Sequence, residues 1–409
     1  MGFNSAPDDD FRLSPVLREL LAGMDSATED FETARPLPAA CYTSAEWFEF
    51  EKRAVWDRDW ICLGHHGTVP RPGDYFTIEI NDDPFLVVHG NDGEIRVMPA
   101  VCRHRGHILG EAGGNARQFT CPYHGWVYGL DGELLSAPQM ERTASLDELR
   151  EDHCLPTLRS EIWNGFIFVN LSGTARPLAS RLKRLTAEVK NHRLADLVAL
   201  PPIDIPDNPW NWKWMQENGV EPYHTAVAHR GYHDMAPNRN ATFPDWDPED
   251  DGAIFSPTAF THRDANFTRT GKSMFPVLES LTEEDRWRVM FSVVPPNMLF
   301  TTLPDGAFYF IIRPAGPENI TLRVGFLYPE STVKRPDFEE TLEKVLEDFN
   351  EINDQDITAN RAVQEGRRSR FVYGGRYGYL ETPLIHFNRW LVTRFRTYAA
   401  ELEGGGKIS

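Results

Sequence analysis

Apolar and polar residues alternate in short runs between Trp56 and Leu171: Tyr75–Ile80, Phe85–His89 and Ile95–Met98, separated by Asn81-Asp82-Asp83 and Gly90-Asn91-Asp92-Gly93. A two-residue period bounded by turn-forming residues predicts short antiparallel strands. Ile162–Leu171 continues the alternation and predicts one closing strand. Leu178–Leu200 then reads as a helix and a linker, and Pro237–Leu281 is rich in Asp, Pro, Asn and Thr with no clear period. Alternation returns in Trp287–Val294, Met298–Thr302, Phe308–Arg313 and Thr321–Tyr328, while helical spacing marks Pro15–Leu21, Phe338–Phe349 and about Phe387–Glu401. The fold class expected is α+β. Residues 1–45 form an arm that packs on the second domain, 46–175 a small antiparallel β domain, and 176–409 an antiparallel sheet wrapped against a long helix. The aperiodic segment is expected to cover a pocket, as long loops in compact domains commonly do.

At 409 residues the chain has room for two sizeable cores. A net charge of −19 argues against a nucleic-acid partner, which would need basic stripes. No window approaches about eighteen uncharged apolar residues, so no membrane-spanning helix is expected. The five cysteines, Cys41, Cys62, Cys102, Cys121 and Cys154, are odd in number, and Met1–Ser5 lacks an apolar signal core. A reducing cytoplasm is the expected location.

Cysteine and histidine spacing changes the picture. Cys102-x-His104 is followed, after sixteen residues, by Cys121-x-x-His124. Two thiolates suit one iron and two neutral imidazoles another, and histidine ligation raises the reduction potential above that of an all-cysteine cluster. The flanking His104-Arg105-Gly106-His107 and Pro122-Tyr123-His124-Gly125-Trp126 are glycine-punctuated loops that can bring backbone N–H groups near bridging sulfides. Structural zinc is the other use of such clusters, although a Cys-x-His first half is unusual for a zinc finger.

A second constellation lies in Asn218-Gly219-Val220-Glu221-Pro222-Tyr223-His224-Thr225-Ala226-Val227-Ala228-His229, where two histidines five positions apart follow a carboxylate. Two imidazoles and one carboxylate on one face of an iron are the ligand set of non-haem iron(II) oxygenases. Alone, two nearby histidines are more often surface or satisfied core residues. Beside a two-iron motif they point to a second metal.

The run Asn115–Pro138 resembles the Rieske domain of bacterial Rieske non-haem iron oxygenases, and Trp210–Asn218 resembles the run that leads into the catalytic helix of their α subunits. Asn353–Gly366 resembles the Glu-Asp preceding a Val-Gln-x-Gly segment in the choline, glycine betaine and carnitine branch. The resemblance covers residues 45 to about 400. It implies a Rieske [2Fe-2S] cluster on Cys102, His104, Cys121 and His124, and a mononuclear Fe(II) on His224, His229 and Asp356 in a helix-grip domain. Asp354 is the rival for the third ligand, and Gln355 stands where that branch carries Glu. For either acid the alternative is a helix N-terminal carboxylate. Asn218 is expected in the pocket wall beside the iron, and His107 is not made a ligand.

Glu221 takes, by the same resemblance, the position of a carboxylate that links His124 of one subunit to His224 of the next in a head-to-tail homotrimer. The implied function is the terminal oxygenase of a multicomponent system. It would use O₂ to hydroxylate or oxidatively dealkylate a small organic substrate, with NAD(P)H electrons from a separate flavin/iron–sulfur reductase, directly or through a ferredoxin. No GxGxxG segment follows a strand, which places the reductase on another chain. Glu221 and the Asp356–Gly366 segment favour hydroxylation next to nitrogen, where a quaternary ammonium group would need an aromatic cage. An aromatic compound, held by Arg, Asn or Gln in an apolar pocket, is the alternative. An isolated electron carrier and a zinc-stabilised interaction protein are the remote readings.

Overall fold

The computed structural model describes residues 11–229 and 231–404. Two compact units divide the described residues, one comprising Cys62–Thr174 and the other residues 11–61 together with 175–404. The first unit therefore begins at Cys62, not at residue 46. The reason lies in the helix Ala45–Glu51, capped by the Ser44 side chain, and the single π turn Lys52–Trp56. Their aromatic residues belong to the core of the second unit: Trp47 meets Phe395 edge-on at 5.0 Å and Trp56 meets Trp212 at 5.3 Å. Glu51, fully buried, accepts from Lys213 Nζ at 2.6 Å and from the indoles of Trp47 and Trp212. A buried charge is tolerated when paired and hydrogen-bonded in this way.

In the first unit Ile95–Pro99, Asp83–His89, Asp74–Ile80 and Gly113–Asn115 form an antiparallel sheet in that order, and Phe119–Thr120, Val127–Tyr128 and Leu134–Ser136 a smaller one. The single closing strand expected over Ile162–Leu171 is instead a hairpin of Arg159–Trp163 and Phe166–Asn170. Asn164 and Gly165 both have positive φ, the requirement of a two-residue type I′ turn.

The second unit holds a seven-stranded antiparallel sheet. Ile320–Tyr328, Gly306–Pro314, Met298–Leu303 and Arg288–Val294 run in that order as expected, and Ile254–Ala259 pairs outside Arg288–Val294 as an edge strand. That strand lies within the segment expected to be irregular. Pro257, opposite Met290, is acceptable there because an edge strand has one side with no ladder bond to make.

The long helix runs from Phe338 to Arg367, well past the expected end at Phe349. Asn350–Asn360 contains many weak helix formers. Tertiary bonds hold it: Gln364 Oε1 accepts from Asn211 N and Trp214 Nε1, both at 2.9 Å, and Asn360 Nδ2 donates to Met215 Sδ at 3.7 Å. Asp354 and Asp356 thus sit inside a helix and not at an N-terminus. Of the arm, residues 1–10 lie outside the described residues. Pro15–Ala22 forms the expected helix, and Arg18 pairs with Glu403 and Arg389 donates to Thr28 O within the second unit. Among the described residues no helix is long and apolar enough to cross a membrane.

Candidate metal centres

Two loops of the first unit share one wiring. Cys102 N donates to His107 O and Gly106 N to Cys102 O; Cys121 N donates to Trp126 O and Gly125 N to Cys121 O. Gly106 and Gly125 have φ of 76° and 73°, which a side chain would strain. The wiring brings both cysteines into the unit's core, each 2% exposed, while His124 remains exposed. The His104 and His124 rings lie 4.7 Å apart, and His104 stacks on Trp126 at 4.8 Å with a 2° tilt.

The donor set fits an iron–sulfur cluster. His104 Nδ1 is buried with no hydrogen-bond partner among the described residues, as expected of an imidazole that offers a lone pair to a metal. Burial holds the Cys102 thiol above its ordinary value and the adjacent Cys121 adds to this, so two neighbouring thiolates here require a cation. Tyr128 Oη accepts from Arg103 N at 3.0 Å, which leaves its proton for Cys102 Sγ at 3.3 Å. His107 turns away, its Nδ1 on Ile108 O at 2.7 Å.

In the second unit the helix Lys213–Asn218 ends at Gly219, where a Cβ would lie 1.8 Å from Leu299 Cδ1, so only glycine lets the chain pass. His224 precedes, and His229 follows, the one-turn helix Thr225–Ala228. His224 Nδ1 donates to Glu221 Oε1 at 2.7 Å and His229 Nδ1 to Gln355 Oε1 at 2.8 Å. Both acceptors are oxygens, so each ring carries a proton on Nδ1, and in the neutral ring the lone pair is left on Nε2.

The two Nε2 atoms lie 3.1 Å apart, and Asp356 Oδ1 is 3.5 Å from His224 Nε2 and 3.1 Å from His229 Nε2. In the neutral rings three lone pairs face one another and repel; against the cost of burial, Glu221 and Asp356 favour positive charge on His224, and a cation between the three groups meets the same demand. These three residues are the group of described acids, histidines and cysteines whose ligand atoms lie within 4.8 Å of one another. Asn218 Nδ2 donates to Asp356 Oδ1 at 3.0 Å. Asp354, one of the two candidate acids, is exposed and is no part of this group. Gln355 was visible in the sequence only as a departure from Glu. Its neighbour position to Asp356 on a helix, roughly 100° around the axis, is the signal that it could flank the same site.

An apolar cavity of about 170 Å³ opens from this point. Phe291, Thr301, Phe308 and Phe326 are directly paired across four strands and so share one face of the sheet. Phe349 meets Phe308 and Phe326 edge-on at 5.2 and 5.1 Å. The helix supplies Val345, Phe349, Ile352, Asn353 and Asp356 to the opposite wall. Parts of the irregular segment, including Asn266, Phe267 and Thr268, also line the cavity.

Residues 59–150 match the family described as Rieske [2Fe-2S] domain, and residues 187–397 that described as ring hydroxylating alpha subunit (catalytic domain). The carnitine monooxygenase oxygenase subunit of Acinetobacter pittii is 32% identical over 226 residues, 52% of this chain and 59% of that protein's length. The biphenyl 2,3-dioxygenase α subunit of Rhodococcus jostii is 36% identical over 204 residues, 49% of this chain and 44% of that protein. Among solved structures, the quaternary ammonium Rieske monooxygenase CntA in complex with an inhibitor superposes with a TM-score of 0.75 at 23% identity, covering 94% of this chain and 99% of that one, a likeness of fold. With the catalytic-domain match extending over half the chain, this protein belongs to the ring-hydroxylating α-subunit family of Rieske oxygenases.

Proposed function

We propose that the chain is the terminal oxygenase of a multicomponent system, hydroxylating a small organic substrate with O₂ and electrons from a separate NAD(P)H-dependent reductase. The observation that carries this reading is the convergence of two imidazole Nε2 atoms and an Asp356 oxygen at the end of an apolar cavity. His224, His229 and Asp356 would hold a single Fe(II), and Cys102, His104, Cys121 and His124 the [2Fe-2S] cluster. The iron supplies O₂ activation when bound, and the cluster supplies single electrons.

The remaining work belongs to side chains. Gln355 and Glu221 hold the two imidazoles in the tautomer that presents Nε2. Asn218 fixes the orientation of Asp356. The phenylalanine belt keeps water away, so that an apolar body fills the cavity in its place. Glu221 would link His224 to His124 of a neighbouring copy in a homotrimer. In support of this, one Glu221 oxygen bonds the His224 ring while the other takes the N–H groups of Tyr223 and His224, and His124 is exposed.

A quaternary ammonium substrate is supported by the named activity of the Acinetobacter relative, and an aromatic substrate by that of the Rhodococcus relative and by the belt of phenylalanines. The test is reductant-dependent O₂ uptake by the purified chain with a reductase, in the presence of compounds of each class. Uptake coupled to an oxygenated product supports the reading, and a protein with full iron that consumes no O₂ with any reductant overturns it.

A further inference from the structure

A third histidine, His233, lines the cavity and is no part of the three-residue metal group. Its Nδ1 lies 2.8 Å from Thr225 Oγ1. That hydroxyl also lies 2.9 Å from Pro222 O, which can only accept, so the single hydroxyl proton goes to the carbonyl. Both contacts are hydrogen bonds only when His233 Nδ1 carries the ring proton. The tautomer is thereby fixed, and Nε2 is an acceptor that no described residue satisfies.

The cavity around it has a defined chemistry. Val345 and Asp356, both in its wall, are eleven residues apart on one helix, which at 1.5 Å per residue gives a length of about 16 Å. Phe349 meets Phe308 and Phe326 edge-on, and Phe308 is tilted by 49° to Phe326, so the rings present edges as much as faces to the interior. Cation binding needs a ring face, and although Tyr232 and Tyr328 also line the cavity, most of its aromatic residues are Phe, the weaker aromatic for it. We infer that the cavity takes an uncharged ring compound of about two rings that bears an O–H or N–H group, and that His233 Nε2 reads this donor. A quaternary ammonium group has no proton to give, and a carboxylate would set negative charge against an acceptor.

This rests on the cavity being the substrate site of an oxygenase, and the test separates the two claims. Four ligands with one body and different head groups are titrated by calorimetry into the oxidised holoenzyme, where no turnover occurs: 4-hydroxybiphenyl, biphenyl, biphenyl-4-carboxylate and biphenyl-4-trimethylammonium. The hydroxyl compound is expected to bind about tenfold tighter than biphenyl, the worth of one buried hydrogen bond, with the two charged compounds weaker than biphenyl. His233→Phe should erase the difference between hydroxybiphenyl and biphenyl, and His233→Gln, which keeps an acceptor, should retain part of it. Equal binding of hydroxybiphenyl and biphenyl by the wild type, a preference for either charged compound, or a preference that survives His233→Phe overturns the inference. If His233→Phe does not fold, the wild-type ranking with His233→Gln still decides. Iron content and visible spectrum of the same samples report on the oxygenase reading independently: missing iron sinks that reading, whereas a wrong ranking with full iron sinks only this one.

Discussion

The two candidate metal centres are built in opposite ways. In the first unit all four candidate ligands lie between Cys102 and His124, on two loops with the same hydrogen-bond wiring, and each loop is closed by bonds within six residues. In the second unit the bonds that shape the site join Asn218 to Asp356 and His229 to Gln355, 138 and 126 positions apart. A local site survives as long as its loops do. A site assembled from distant elements depends on the packing of the long helix against the rest of its unit, and its outer residues tune it.

The largest effect that would break this contrast is expected from Asp356→Ala. It should remove the single iron and all product formation while leaving the cluster's visible spectrum intact, and Asp354→Ala should do neither. Metal analysis with absorption spectra checks both, and full iron in Asp356→Ala with loss in Asp354→Ala would reverse the assignment. Glu221→Gln comes next. Both metal sites should stay filled, yet turnover should fall on the order of 100-fold, because the neutral amide is a weaker partner for His224. Near-normal single-turnover electron transfer in that protein would take Glu221 out of the path.

Gln355→Leu sharpens the comparison, since it strikes the distant half of the second site only. It leaves His229 Nδ1–H without its acceptor and should weaken iron binding about 10-fold or more, read as iron lost to a competing chelator. The counterpart in the local site is Tyr128→Phe. Removing a hydrogen bond to Cys102 Sγ should lower the cluster's reduction potential while both metals remain, as measured by redox titration.

The smallest effect concerns stability. Burial pushes Glu217 up to about 7, against the pull of the Tyr42 hydroxyl that donates to it at 2.6 Å. The folded state thus holds a proton that the unfolded chain releases above its ordinary 4.5, so this contribution is present at low pH and is lost as pH rises from 4.5 through 7. Glu217→Gln should therefore gain on wild type across that window, by on the order of 3 kcal/mol, in denaturant unfolding at pH 5 and 8. A difference independent of pH would place the titration elsewhere.

The same contrast governs what could be read from the chain. The first site was legible because ligands and glycines are close in sequence, and the hairpin of Arg159–Asn170 was missed only because Asn164-Gly165 sits inside an unbroken apolar alternation. In the second, His224 and His229 were legible as a pair, whereas the choice of Asp356 over Asp354 needed the helix phase that brings Asp356 to both histidines. That helix was expected to stop at Phe349; Asn, Asp and Thr beyond that point favour other conformations, and contacts with Trp214, Asn211 and Met215 help carry it on to Arg367. The edge strand Ile254–Ala259 was hidden by its proline, and the fixed tautomer of His233 by the need to know where Thr225 sends its proton.

The central claim is that one chain carries two separate iron centres on separate residues. Iron and acid-labile sulfide, counted per chain in the purified wild-type protein, test it most directly. The account predicts about three irons and two sulfides, with the red-brown absorption of a histidine-ligated cluster. Zinc without labile sulfide, or two irons and two sulfides in a protein fully active in oxygenation, would contradict it.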